Sequence, residues 1–78
     1  MKKNFWNSSI ASAIRNLKIA DRILKGKYLG ARETKDVERI VKVTLRTLNV
    51  CFDGSWPKVR RKLRSEQLEW LLDTYLPV

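Results

Sequence analysis

The string SWPKVRRKLR at residues 55–64 holds five cationic side chains, Lys58, Arg60, Arg61, Lys62 and Arg64, and no acidic one. Guanidinium and ammonium groups at this density repel one another. Phosphate oxygens relieve that repulsion, and counterions are released as they do so. The chemistry suggested is polyanion binding, and nucleic acid, DNA or RNA, is the first partner to expect. The fourteen residues that follow carry three acids, Glu66, Glu69 and Asp73, and no base. A helix made from them could be a neutral back wall, or could neutralise the cations of a neighbouring subunit across a dimer interface. Only in the first case are the cations available to phosphate.

A second basic series, Arg15, Lys18, Arg22 and Lys25, recurs at steps of three and four residues. Those steps return to one side of a helix, so the series forms a stripe that would extend a phosphate-binding surface. Trp56 adjoins the cationic run, where it could stack on a base or pack locally as a staple at the start of a helix. Trp70 follows the apolar residues of its own segment and reads as core. Phe5 and Trp6 could anchor an N-terminal arm or mark a contact patch.

Catalysis finds little support. There is no histidine and one cysteine, which excludes an intramolecular disulfide, a Cys/His zinc cluster and a histidine general base. Cys51 reads as a small apolar residue at a helix end, and a reducing cytoplasm suits it. Glu33, Asp36 and Glu38 cluster where a helix begins, and the helix dipole accounts for them. Without a phosphate loop or nucleophile motif beside the acids, no catalytic residue, metal ligand or cofactor is assigned, and the chain is not expected to be an enzyme.

The elements that must carry these groups are helical. Ile10, Ala13, Ile14, Leu17, Ala20 and Leu24 share one stripe, with Asn7, Ser8 and Ser9 as N-cap choices and Gly26 as a stop. Ile19 and Ile23 lie on another side, as they would if the helix were covered from two directions. Tyr28 and Leu29, bracketed by Gly26 and Gly30, are expected to tuck back onto the core. Thr34 then opens a second helix. Its expected buried stripe is Val37, Ile40, Val41, Leu45 and Leu48, with Lys35, Arg39, Lys42 and Arg46 opposite.

Asp53-Gly54 signals a turn, and Ser55 precedes a proline suited to a first helical turn. In a single helix from there to Tyr75, Val59 and Leu63 would face away from Leu68, Leu71, Leu72 and Tyr75. A break near Arg64-Ser65, with Ser65 as N-cap of a fourth helix, resolves the mismatch; a continuous helix sandwiched between subunits is the alternative. The expected fold is therefore all-α: one domain over residues 1–78, a small bundle of three to four short helices near 9–25, 35–50, 57–64 and 65–75. A homodimer is one way to enlarge so small a core.

The string RSEQLEWLLDTYL is similar to the start of a homeodomain's first helix, but no recognition helix follows it here and nothing is carried over. A helix-turn-helix spacing is not met either, since Asp53 and Ser55 flank Gly54 where apolar residues would be needed. No run approaches the length of a membrane span, and no membrane association is expected. The favoured reading is a small basic cytoplasmic protein that holds nucleic acid through phosphates. The rival is a helical regulator or inhibitor that docks on a larger protein, suggested by the two-sided first helix, three tryptophans and the acidic last segment.

Overall fold

A computed structural model describes the backbone at residues 2–26 and 30–77, and side chains from residue 9 onward within those stretches. The expected positions of Tyr28 and Leu29, and of the Phe5 and Trp6 side chains, lie outside the described residues. Four helices follow in order: α1 (Lys2–Lys25), α2 (Ala31–Cys51), α3 (Trp56–Ser65) and α4 (Glu69–Tyr75), with no strand among the described residues. The fold is all-α. No described helix is long and apolar enough to cross a membrane.

The chain has no glycine or proline before Gly26, so nothing forces α1 to begin at residue 9, and its backbone is helical from Lys2. Asn7, Ser8 and Ser9 are thus interior residues rather than caps. A helix of this length extends about 36 Å at 1.5 Å per residue, close to the molecule's 41 Å long axis. Helix α2 also starts earlier than expected. Gly30 is its N-cap, and Thr34 sits one turn inside, its hydroxyl donating to the Gly30 carbonyl at 2.9 Å.

Ala13, Ile14, Leu17 and Ala20 of α1 pack with Val41, Leu45 and Leu48 of α2, Val59 and Leu63 of α3, Leu68 at the turn, and Leu71 and Leu72 of α4. These are the expected stripes with one correction: Ile40 is 55 % exposed. Its position three residues after Val37 fits the buried stripe, but it lies three before Val43 on a second line along the outer face, where Val43 is also exposed.

Two helix ends use the same device. At the end of α2, the Gly54 N–H donates to the Asn49 carbonyl at 2.9 Å and the Asp53 N–H to Val50 at 3.0 Å. This is a Schellman motif with Asp53 left-handed at φ 56°. At the end of α3, the Leu68 N–H donates to Leu63 at 2.8 Å and the Gln67 N–H to Arg64 at 3.1 Å, with Gln67 at φ 62°. Leu68 and Leu63, the C″ and C3 positions of that motif, are both buried, giving the hydrophobic clasp that accompanies it.

The expected break between α3 and α4 therefore exists, but not at Ser65. Ser65 is the last residue of α3, its hydroxyl donating back to the Lys62 carbonyl at 2.7 Å. Leu68 occupies the N-cap of α4 without a side-chain cap bond.

Candidate nucleic-acid interface

Helix α3 is started as expected by Ser55, whose Oγ accepts from the Lys58 N–H at 3.4 Å, with Pro57 in the first turn. Burial of Val59 and Leu63 then fixes the helix's rotation. Because successive residues are about 100° apart, this rotation sends the five cations two ways. Arg60 and Arg64 turn toward α4. Lys58, Arg61 and Lys62 turn toward a groove beside Phe52 and toward α1.

The two arginines are committed. Arg60 Nη1 donates to Glu69 Oε2 and to Asp73 Oδ1, each at 2.8 Å. Arg64 holds Glu69 in a fork, Nε to Oε1 at 3.1 Å and Nη2 to Oε2 at 3.0 Å. Hydrogen bonds from Arg64 first and Arg60 second hold the Glu69 carboxyl far below its ordinary range, at about 2. The expectation of five cations available to phosphate is corrected here: the acidic helix of the same chain, not that of a neighbouring subunit, neutralises part of the cluster. The physical reason is the left-handed turn at Gln67, which folds α4 back beside the arginine side of α3.

The remaining three meet the stripe on α1. One groove runs between α1 and the turn after α3, about 850 Å3, lined by Lys18, Arg22 and Lys25 against Ser65 and Glu66. A second, about 520 Å3, is lined by Arg15, Lys18, Lys62 and Glu66 over Ile10 and Ile14. A third brings Phe52 together with Lys58, Arg61 and Lys62. Lys18 and Lys62 are shared between neighbouring grooves, so the three form one surface.

Glu66 stands at the junction, 2.9 Å from Lys18 Nζ and 3.2 Å from Lys62 Nζ. Those two bonds, Lys18 first, hold its carboxyl below the ordinary range. Asp21 is the other acid. It accepts from the Trp70 indole N–H at 2.6 Å and pairs with Lys25 at 3.1 Å, while the Lys25 ammonium lies 5.7 Å from the Trp70 ring centre. Seven cations thus face two carboxylates, and Lys58, Arg61, Arg15 and Arg22 have no salt-bridge partner among the described residues.

Of the ten residues expected at the site, Arg15, Lys18, Arg22, Lys25, Lys58, Arg61 and Lys62 are brought together, and Arg60 and Arg64 are drawn away. Trp56 packs partly buried against the core and lines none of the three grooves. The aromatic residue beside the free cations is Phe52, which sequence reasoning missed. Its place immediately after α2, six residues before Lys58, was the available signal. Trp70 packs against the core as expected, also meeting Tyr75 edge-on at 6.0 Å between ring centres. Burial raises the pKa of the Cys51 thiol, which keeps it from acting as a ready thiolate.

No protein-family model, curated protein or solved structure matches this chain.

Proposed function

We propose that the protein binds nucleic acid without catalysis, holding the phosphate backbone along the surface shared by α1 and α3. The observation that carries this reading is the convergence of Arg15, Lys18, Arg22, Lys58, Arg61 and Lys62 on linked grooves that contain only two carboxylates. Cations left facing one another are costly in the free protein, and phosphates would take their place as partners while releasing condensed counterions. Phe52, level with Lys58 and Arg61, offers an apolar floor for a sugar or base. The contacts on which this reading rests are to phosphate, which position a nucleic acid without reading its bases.

The test is anisotropy of labelled duplex DNA and of single-stranded RNA titrated with protein across a salt series. Engagement of about four to six phosphates on duplex DNA gives a slope of log affinity on log salt near −4 to −5. A flat salt response, or no binding to either probe at low salt, overturns the proposal.

A further inference from the structure

We propose that the outer face of α2 docks a partner protein through an amphipathic helix flanked by acidic side chains. The face is apolar where it should be polar: Ile40 is 55 %, Val43 54 % and Val50 61 % exposed. Together with Thr47 these residues follow one another at steps of three, four and three, the heptad spacing of a helix–helix seam. The Thr47 hydroxyl donates to the Val43 carbonyl at 3.1 Å, so it is satisfied within α2 and leaves a methyl group on the seam. Asp36, one step before Ile40 on the same line, closes the seam with a carboxylate. The apolar contact therefore spans Ile40 to Val50, about 15 Å of helix.

Charge selects the occupant. Arg32, Arg39 and Arg46 stand at seven-residue intervals along one edge of the seam, with Lys35 and Lys42 behind them, and none has a salt-bridge partner among the described residues. The other edge holds Val37, Thr44 and Cys51, which carry no formal charge. A second copy of α2 is a poor fit. Packed antiparallel it sets arginine row against arginine row, and packed parallel it sets the arginines against the uncharged edge. The chain's own acidic helix is already engaged by Arg60 and Arg64. Phosphate would satisfy the arginines but leave the aliphatic seam in water. A helix with aliphatic residues toward the seam and glutamates or aspartates along the arginine edge satisfies both.

Two synthetic peptides of about three heptads, with leucine at the seam positions and either glutamate or lysine at the flanks, are the probes. The intact protein is expected to bind the glutamate peptide at least about tenfold more tightly than the lysine peptide by fluorescence anisotropy. The double reversal Arg39→Glu/Arg46→Glu inverts that preference. Val43→Asp, at an exposed position and with an unchanged far-ultraviolet dichroism spectrum, weakens both peptides by about tenfold or more. Lys58→Glu/Arg61→Glu, on the α3 surface, leaves peptide binding unchanged, which separates this proposal from nucleic-acid binding. The proposal is overturned by equal affinity for the two peptides, by no binding of the glutamate peptide, or by a Val43→Asp protein that binds as the wild type does. It is equally overturned if sedimentation equilibrium finds a dimer that Val43→Asp dissociates, or if duplex DNA competes the peptide from this face.

Discussion

Helices α2 and α3 carry five basic residues each, and their sequences suggest opposite electrostatic fates. In α2 the cations are interleaved with Glu33, Asp36 and Glu38, whereas α3 contains no acid at all. The structure inverts this. Three of the five cations on α3 have carboxylate partners, two of them on α4, while none of the five on α2 lies within salt-bridge distance of an acid among the described residues. Interleaving along a helix supplies neighbours on the same cylinder, worth a few tenths of a kcal/mol when they meet. A turn that folds one short helix back onto another supplies a fork. Neutralisation is thus a tertiary property, and the charge sign of a local stretch does not report it.

The largest effect on this contrast should come from the packing that holds α3 and α4 together. Leu63 is fully buried and is one half of the clasp with Leu68. Leu63→Ala should cost about 2–5 kcal/mol, measured by urea denaturation. It should also release Arg60 and Arg64 from α4. A variant of wild-type stability would mean that the clasp is not what turns α4 back.

The two sides of α3 should then separate in binding. Lys58→Glu with Arg61→Glu should weaken nucleic-acid binding by about tenfold or more and reduce the salt slope by about two. Arg60→Glu with Arg64→Glu should change it less and instead lower the melting temperature, because it sets four carboxylates together beside α4. Equal losses of binding from the two pairs would return all five cations to a single exposed surface.

Acid titration offers a third, smaller effect. The Glu69 carboxyl is held at about 2, below its ordinary value of 4.5, by Arg64 and Arg60. A depressed carboxylate stabilises the fold fully above its unfolded value, and that contribution is lost as pH falls through the folded one. Stability should therefore decline from about pH 4.5 toward 2, and Glu69→Gln should flatten that part of the profile. A wild-type curve level across this window would remove the fork as a contributor.

Much of the fold was legible because burial follows period. The stripes through Leu17, Leu45, Val59 and Leu71 are readable from spacing, and Ser55-Trp56-Pro57 marks a helix start by local chemistry. Ile40 departs from the expected stripe because two apolar lines share α2 and spacing alone does not say which one meets α1. The candidate site was half legible. The stripe from Arg15 to Lys25 and the run from Lys58 to Arg64 were visible as charge, but their partition depended on α4, whose position no periodicity encodes. That position is set by the clasp of Leu63 with Leu68 together with one residue in a conformation its type seldom adopts.

The residue is Gln67. A left-handed helix cap normally announces itself by glycine, and here a side chain occupies φ 62°, where a Cβ crowds the following carbonyl at a cost of about 1–2 kcal/mol. Asp53 holds the same position in the other turn at φ 56°, and its short polar side chain tolerates that conformation better than a glutamine does. Gln67→Gly removes the crowding but gives the unfolded chain more freedom, so the net gain should be no more than about 1 kcal/mol, a rise of a few degrees in melting temperature. Nucleic-acid binding should not change, since the cations of α1 and α3 keep their places. Loss of stability in this variant would favour a continuous helix from α3 into α4. The acids of α4 would then no longer fold back beside Arg60 and Arg64, and the difference between α2 and α3 would disappear with them.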